Sequence, residues 1–197
     1  MNNKKDGEKL LSDGNAYIMF LGIIDAQSAQ ALAECISNLH KDTQTLHISF
    51  STEGGSVTYG FSIYHFLRGL PYEIIMHNIG SVDSIGVTIF LAGEKRYTTK
   101  HGTFLIHRVT SDQNNEKMGA SLLKENLNSI EVNEQKVRKI YSERSSIPET
   151  DIDKLFESGE LKDAKYALDH GIVHEIREFI IPDNTKILVV RADSKAP

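Results

Sequence analysis

The sequence predicts an α/β fold, and two observations support this class. Apolar runs of strand length alternate with segments whose apolar residues recur at helical spacing. Glycines and capping residues separate these segments, as expected at element boundaries. With 40% hydrophobic residues among 197, the chain can bury one sizeable core. We therefore expect a single domain over residues 16–197, preceded by a flexible polar segment over residues 1–15.

The first half of the chain predicts strands and helices in alternation. In chain order these are a strand over 17–24, a helix capped by Asp25 with its apolar stripe at 32–39, an alternating strand over 46–50, a helix with apolar residues at Val57, Phe61, Tyr64 and Leu67, a strand over 72–79 and a helix over 84–91. Residues 95–99 and 103–106 predict two further strands. We expect them to form a hairpin around Lys100-His101-Gly102.

The second half predicts more helix than strand. Residues 118–141 carry the longest helical pattern, whose length favours a helix that projects from the core. The other predicted elements are a helix with Pro148 in its first turn and its end near Gly159, a helix over 164–170 capped by Asp163 and stopped by Gly171, and short strands over 172–176 and 186–190.

Composition argues against several classes of function. The formal net charge is -5 and the basic residues are scattered, so we expect no nucleic-acid partner. The single cysteine, Cys35, excludes an intrachain disulfide framework and a multi-cysteine zinc site. Residues 1–13 lack the apolar run of a signal peptide, and no apolar stretch is long enough to cross a bilayer. We expect a cytoplasmic protein that needs neither metal nor cofactor.

The segment Gly80-Ser81-Val82-Asp83-Ser84-Ile85-Gly86 lies between a predicted strand and a predicted helix. A serine at this point faces unpaired backbone N–H groups, which stabilise negative charge that develops beside its oxygen. Flanking glycines let a substrate backbone approach closely. Taken alone, the pattern favours a plain helix cap at Ser84 over a nucleophile.

Two further positions can carry chemistry. Gly54-Gly55 follows a strand and precedes a helix, so its N–H groups can line an anion or oxyanion site, although a tight turn also explains a glycine pair. His107 ends an apolar strand and can act as a base in a cleft, although an isolated histidine is more often structural. The other histidines show no metal-binding spacing.

Taken in chain order, these segments resemble the Clp protease proteolytic subunit family. The resemblance covers residues 17–176 and rests on five segments in the family's order. They are STEGGSVT at 51–58, GSVDSIG at 80–86 for the family's G-x-A-A-S-M-G, AGEKRY at 92–97 for A-G-x-K-R-Y/F, IHRV at 106–109 for I-H-Q-P, and DAKYALDHGIVH at 163–174 for S-A-x-E-A-x-x-Y-G-L-I/V-D.

The resemblance implies a fold and a set of roles. The fold is the spiral of ββα units shared by Clp proteases and crotonases, with residues 118–141 as the projecting handle helix. Ser84 is implied as the nucleophile and His107 as its general base. The backbone N–H groups of Gly55 and Ile85 are implied as the oxyanion hole.

The resemblance also implies an assembly and partners. The expected activity is that of an ATP-dependent serine endopeptidase, which cleaves unfolded polypeptides inside a homo-oligomeric ring. The expected ring is a heptamer, with stacking of two rings as a further expectation. A Clp-type ATPase unfoldase is the expected partner that delivers folded substrates.

The sequence departs from the family at several positions. Gly159 matches the position of the family's catalytic aspartate, so the third triad member is Glu157, Glu160 or absent. Asp83 replaces a small residue before the nucleophile, where an inward carboxylate would repel developing negative charge. Residues 110–115 replace a glycine-rich strand that helps to build the substrate groove and the contact between rings.

Three functions therefore stay open at the level of sequence. The first is an active serine peptidase. The second is a catalytically impaired ring subunit or binding module without a complete triad. The third is an acyl-CoA enzyme of the crotonase fold, which needs no Ser84–His107 pair. Labelling by a serine-directed fluorophosphonate separates the first from the other two.

Overall fold

The computed structural model describes residues 14–110 and 119–190. Within them the strands are β1 (Asn15–Leu21), β2 (Thr45–Thr52), β3 (Glu73–Asp83), β4 (Lys95–Thr98), β5 (Thr103–Leu105), β6 (Leu161–Lys162), β7 (Glu175–Ile176) and β8 (Ile187–Val190). The helices are α1 (Ala26–Ser37), α2 (Val57–Arg68), α3 (Ile85–Phe90), α4 (Ala120–Arg144), α5 (Glu149–Ser158) and α6 (Ala164–Asp169). The predictions for residues 1–13, 111–115 and 118 fall outside the described residues.

The strands form one sheet that confirms the predicted α/β class. Its main path runs β6-β5-β3-β2-β1-β8, with β4 lying beside β3 and β7 beside β4. Every pairing among the described strands is parallel except β5 with β6. Parallel neighbours need crossover connections, and α1 and α2 supply them between β1, β2 and β3.

The longest strand, β3, serves two neighbours in succession. Its residues 75–78 pair with β4, and its residues 81–83 pair with β5. The predicted hairpin of β4 and β5 is therefore wrong, because both strands run parallel to β3, one after the other. The glycine turn was correctly located, but it does not reverse the chain. Gly102 packs so closely that a Cβ there would lie 2.1 Å from Thr98 Oγ1.

Two predicted helix caps are confirmed. Asp25 accepts a hydrogen bond from the Ser28 N–H at 2.8 Å, and Ser28 Oγ accepts one from the Asp25 N–H at 2.9 Å. Asp163 accepts a hydrogen bond from the Tyr166 N–H at 2.7 Å. Such side chains satisfy N–H groups that have no partner inside the helix, so they define where α1 and α6 begin.

The core lies between the sheet and its helices. Helix α3 is buried along its whole length. Its N-terminus follows β3 through a single residue, Ser84, which therefore sits at the boundary between core and surface. The described helices include none that is both long enough and apolar enough to span a membrane.

Helix α4 is divided between an exposed and a buried part. Leu122, Leu123 and Leu127 in its first half are 46–57% exposed, which agrees with the predicted projection. In its second half, Val137 and Tyr141 are buried against the core. The described part of this helix therefore both projects from the molecule and forms one of its walls.

Buried Arg96 ties the end of α4 to the rest of the molecule. It is 4% exposed, and its guanidinium donates to the carbonyl oxygens of Gly93, Arg144, Gly171 and Ile172 at 2.7–3.0 Å. Burial lowers the pKa of Arg96 to about 10, and nearby Arg144 adds to this effect. The guanidinium is satisfied by main-chain dipoles that come from three separate parts of the chain.

A row of rings crosses one face of the sheet. Tyr17 on β1 stacks on His47 of β2 with centroids 4.7 Å apart, and His47 Nδ1 lies 3.2 Å from His77 Nε2 on β3. His77 in turn contacts Tyr97 of β4 and Phe179, at 5.2 and 4.6 Å between centroids. Tyr17 and His77 are buried, whereas His47, Tyr97 and Phe179 are partly exposed.

Candidate active site

Ser84 forms a sharp turn between β3 and α3. Its φ of 58° and ψ of -129° lie in a region that residues other than glycine rarely adopt. Its N–H donates to the Leu105 carbonyl at 2.8 Å, which ties the turn to the end of β5. The Ser84 side chain makes no capping hydrogen bond to α3. The plain helix-cap interpretation of this serine therefore has no contact to support it.

The glycine pair passes directly beside Ser84. Gly54 and Gly55 have φ values of 92° and 143°, and a Cβ on Gly54 would lie only 2.7 Å from Ser84 Cβ. Gly55 is held by a bridge to Ile24, in which the Ile24 N–H donates to the Gly54 carbonyl and the Ser56 N–H donates to the Ile24 carbonyl. Glycine is needed here because any side chain would overlap the neighbouring backbone.

Two backbone donors face the pocket beside Ser84. Gly55 and Ile85 both line this pocket, together with Ser84 and His107. Among the described residues, neither the Gly55 nor the Ile85 N–H donates a hydrogen bond. Unpaired N–H groups beside a serine oxygen are the donors that an oxyanion requires.

His107 lies two residues beyond β5, on a segment that is fixed at both ends. The Leu105 carbonyl accepts from the Ser84 N–H, and the Arg108 N–H donates to the Phe156 carbonyl at 3.1 Å. The imidazole is half-buried and makes no hydrogen bond to the part of the chain that the structure describes. Ser84 and His107 therefore share a pocket without a direct hydrogen bond between their side chains.

The position of the expected carboxylate is occupied by Gly159. This glycine ends α5 in the left-handed conformation, with φ 56° and ψ 33°. A Cβ on Gly159 would lie 3.9 Å from His107 Cβ, and no other described heavy atom outside its sequence neighbours would be within 4 Å. The structure thus places residue 159 next to the Cβ of His107.

Neither glutamate that flanks Gly159 is paired with His107. Glu157 Oε1 accepts from Arg108 Nη2 at 3.0 Å, and Glu160 Oε2 accepts from Lys162 Nζ at 2.8 Å. The Lys162 ammonium holds the pKa of the Glu160 carboxyl below its usual value. Both side chains are about two-thirds exposed, at 65% and 66%. Within the described residues the imidazole therefore has no carboxylate partner.

Asp83 does not disturb the nucleophile. Its Oδ1 accepts from Ser81 Oγ at 2.5 Å, and Ser81 Oγ accepts in turn from Thr103 Oγ1 at 3.0 Å. Residues two apart on a strand point to the same side, so the carboxylate is engaged by Ser81 of its own strand, which β5 contacts through Thr103. Asp83 does not line the pocket of Ser84 and His107.

The opposite wall of the pocket comes from α4, which sequence reasoning assigned to projection only. Val137 and Tyr141 line the pocket with Val57 and Val109, while Thr88, Arg108 and Thr110 add polar groups, so its walls are mixed in character. The buried positions of α4 recur every three or four residues, and this spacing in the sequence indicates a helix face that packs against the core. The described residues hold no group of three or more His, Cys, Asp or Glu side chains that could bind a metal ion.

Sequence reasoning also missed the charged contacts of Arg108. Its guanidinium donates to Glu134 Oε2 at 3.1 Å and to Glu157 Oε1 at 3.0 Å. The two carboxylates raise the pKa of Arg108 above its ordinary value. Because Glu134 and Glu157 lie on α4 and α5, far from Arg108 in the chain, no local pattern reveals this cluster.

Comparison with known proteins gives a consistent result. The profile of the family described as Clp protease matches residues 5–179. An "ATP-dependent Clp protease proteolytic subunit 1" of Leifsonia xyli is 26% identical over 183 residues, covering 87% of this chain and 86% of the relative.

Two other relatives carry the same description. The "ATP-dependent Clp protease proteolytic subunit" of Oltmannsiellopsis viridis is 24% identical over 141 residues, which covers 71% of each chain. Subunit 1 of Corynebacterium jeikeium is 33% identical over 106 residues, covering 51% of this chain and 55% of the relative. The parallel sheet with its helices also agrees with the fold that the resemblance implied. Because the family profile matches most of the length of this chain, the chain belongs to the Clp protease family.

Proposed function

We propose that the chain is a serine endopeptidase that uses Ser84 as nucleophile and His107 as general base. The observation that carries this proposal is the convergence of Ser84, His107, Gly55 and Ile85 on one pocket. The strained conformation of Ser84 supports it, because such strain is typical of functional positions.

The proposed reaction follows from these positions. Ser84 Oγ attacks the carbonyl carbon of the scissile peptide bond while His107 takes up the hydroxyl proton. The N–H groups of Gly55 and Ile85 donate to the oxyanion of the tetrahedral intermediate. Loss of one such donor raises the barrier by about 3–4 kcal/mol. His107 then gives its proton to the leaving amine, and water releases the acyl group from Ser84 by the reverse sequence.

The pocket also suggests how a peptide binds. Val57, Val109, Val137 and Tyr141 offer apolar walls to one substrate side chain. Residues 55–57 and the stretch after His107 would flank an extended substrate and pair with its backbone. Pairing with an extended backbone fits an unfolded polypeptide as substrate.

We also propose that residues 16–197 act as one peptidase domain within a homo-oligomeric ring. The relatives are described as subunits and as ATP-dependent, which supports a ring and an ATPase unfoldase as partner. The exposed leucines of α4 supply apolar surface for contacts between copies. Light scattering that finds only monomer at micromolar concentration contradicts the ring.

A second candidate is a catalytically impaired subunit. Gly159 at the position of the carboxylate favours it, as does the missing hydrogen bond between Ser84 and His107. In a related triad, replacing the aspartate by asparagine lowers turnover about 10⁴-fold. The remaining groups still accelerate the reaction over its rate in water. We therefore expect slow but Ser84-dependent hydrolysis.

Fluorophosphonate labelling and peptide hydrolysis test the proposal together. We expect the folded protein to be labelled at Ser84, and Ser84→Ala and His107→Gln each to lower turnover of a fluorogenic peptide at least about 100-fold. Ser142→Ala, on α4 and outside the pocket, is the control and keeps labelling and turnover. No labelling of folded wild-type protein refutes an active peptidase and favours the impaired subunit.

A further inference from the structure

The segment that carries His107 is fixed through its neighbour rather than through the imidazole. The ring has no hydrogen bond to the described residues, whereas Arg108 makes three contacts to other elements. Its N–H donates to the Phe156 carbonyl in α5, and its guanidinium bridges Glu134 of α4 and Glu157 of α5. Residue 108 thus links both helices that surround His107.

The two ion pairs of Arg108 differ in strength. The Glu134 side chain is 11% exposed, whereas that of Glu157 is 65% exposed. Arg108 is the one cation that pairs with Glu134 in the described part of the chain, so breaking this contact leaves a buried carboxylate unpaired. An exposed pair such as Arg108–Glu157 contributes much less. Glu134 is therefore the main anchor.

The same contacts fix the end of α5 against His107. Glu157 lies two residues before Gly159, and Gly159 faces His107 Cβ. Moving Arg108 would therefore shift both the backbone of His107 and the wall next to its ring. A displacement of about 1 Å in a catalytic group can lower turnover about 100-fold.

We infer that Arg108, held by Glu134 and Glu157, is the residue that positions His107 for Ser84 in a site whose residue 159 is glycine. The inference rests on the proposed function. Arg108 lines the same pocket, but its guanidinium donates to the two carboxylates, so we assign it a positioning role on His107 through the backbone. A direct contact with substrate would instead change KM. No proton transfer is assigned to it.

The first test measures kcat and KM for a fluorogenic peptide. Arg108→Gln is expected to lower kcat 10- to 100-fold and to change KM less than threefold. Arg138→Gln is the control for loss of an ion pair between α4 and α5, because Arg138 pairs with Asp153 and, unlike Arg108, does not line the pocket. It is expected to keep wild-type kcat. An equal loss in both variants, or a raised KM with unchanged kcat in Arg108→Gln, overturns the inference.

A second variant separates positioning from stability. Arg108→Gln combined with Glu134→Gln removes the unpaired buried charge, so its unfolding midpoint should return toward that of the wild type. Its kcat should stay as low as that of Arg108→Gln alone. Recovery of kcat along with stability shows that Arg108 only stabilises the fold, and this also overturns the inference.

The third test uses Gly159→Asp as a second background. A carboxylate at 159 orients the imidazole directly, so Arg108→Gln should then lower kcat less than threefold. The same loss in both backgrounds means that the two residues act independently and contradicts positioning.

A further measurement tests the role of Arg108 even if the proposed function is wrong. If wild-type protein neither labels at Ser84 nor turns over peptide, imidazole ¹⁵N spectra with His107 selectively assigned still test the inference. We expect one sharp His107 signal in the wild type and in Arg138→Gln, and a broadened or multiple signal in Arg108→Gln. An unchanged signal in Arg108→Gln refutes the positioning role whatever the activity.

Discussion

Gly159 has no side chain at a position whose Cβ would lie 3.9 Å from His107 Cβ. Its left-handed backbone is a conformation that asparagine and aspartate tolerate better than other non-glycine residues. Among the residues that the structure describes, a Cβ there meets only His107 Cβ, at 3.9 Å. The chain can therefore accept an aspartate at this position with small rearrangement.

We predict that Gly159→Asp raises kcat between about 10- and 1,000-fold, because a carboxylate fixes the imidazole and stabilises its charged form. The left-handed conformation should cost roughly 1 kcal/mol of folding free energy. Steady-state kinetics on a fluorogenic peptide measures the gain. Gly159→Asn is the matched control, because it fits the same backbone without charge and should gain far less. Equal gains for both variants contradict a role of the charge.

Gly55 allows a second prediction at this scale. A Cβ there would lie 2.3 Å from the Ile24 carbonyl oxygen at a φ of 143°. We predict that Gly55→Ala lowers the free energy of unfolding by at least about 2 kcal/mol and removes labelling of Ser84. Gly22→Ala is the control, because Gly22 also has a positive φ, of 120°, but a Cβ there meets nothing within 4 Å. Urea unfolding compares the two, and equal losses would refute a steric cause.

Much of the site could be predicted because its motifs are local and ordered. Ser84, His107, Gly55 and Ile85 were named from short segments, and the structure brings all four to one pocket. The contacts of Arg108 could not be predicted, because they depend on how α4 and α5 pack against β5. The sequence predicts only that residue 159 lacks the carboxylate of the family's aspartate. It does not predict the open space beside Gly159.

At the level of elements, the buried guanidinium of Arg96 joins three separate parts of the chain. It satisfies main-chain carbonyls at Gly93, at the end of α4 and after α6. Replacing it removes the guanidinium donor from the Arg144, Gly171 and Ile172 carbonyls, whereas the Gly93 carbonyl still accepts from Arg144 Nη2 at 2.9 Å. Each carbonyl left without a donor costs about 1–3 kcal/mol.

We predict that Arg96→Met lowers the free energy of unfolding by about 3–5 kcal/mol, and Arg96→Lys by somewhat less, since an ammonium cannot reach all of these carbonyls. Chemical unfolding followed by circular dichroism measures both. Arg68→Met is the comparison, because the exposed Arg68–Glu94 pair should contribute less than about 1 kcal/mol. A loss in Arg96→Met as small as that in Arg68→Met contradicts the argument.

The elements were predicted well where their signals are local. Asp25 and Asp163 begin their helices as expected, because capping depends on residues three positions apart. The hairpin of β4 and β5 was wrong, because a glycine turn indicates a change of direction but not the partner of the strand that follows. Both strands find a better partner in β3, which is long enough for two.

The row of rings across the sheet makes the stability of the whole molecule depend on pH. Burial, followed by neighbouring His47 and Arg177, lowers the pKa of His77 from 6.5 to about 3. Burial also lowers the pKa of His47, and Arg177 and Lys95 add to this effect while Glu73 opposes it. The fold therefore holds His77 neutral at pH values where the unfolded chain binds a proton.

We predict that stability contributed by this histidine is complete above about pH 6.5 and falls as the pH drops toward 3, reaching a loss of about 2 kcal/mol at pH 5. His77→Gln should lower by about one the number of protons that the chain takes up on unfolding, because glutamine does not titrate. Glutamine also keeps an N–H for His47. His101→Gln, on the surface, should keep the wild-type dependence. Urea titrations between pH 4 and 8 measure the slopes, and identical slopes for wild type and His77→Gln contradict the prediction.

The pairing of β1 with β8 has a consequence for synthesis on the ribosome. Tyr17 lies opposite Ile187, so one edge of β1 has no partner until residues 187–190 have been translated. At 5–20 residues per second, this interval lasts roughly 10–30 s. During that time an apolar strand with unpaired N–H and C=O groups is available for incorrect pairing with other nascent chains. Full protection of β1 therefore requires that β8 has been synthesised.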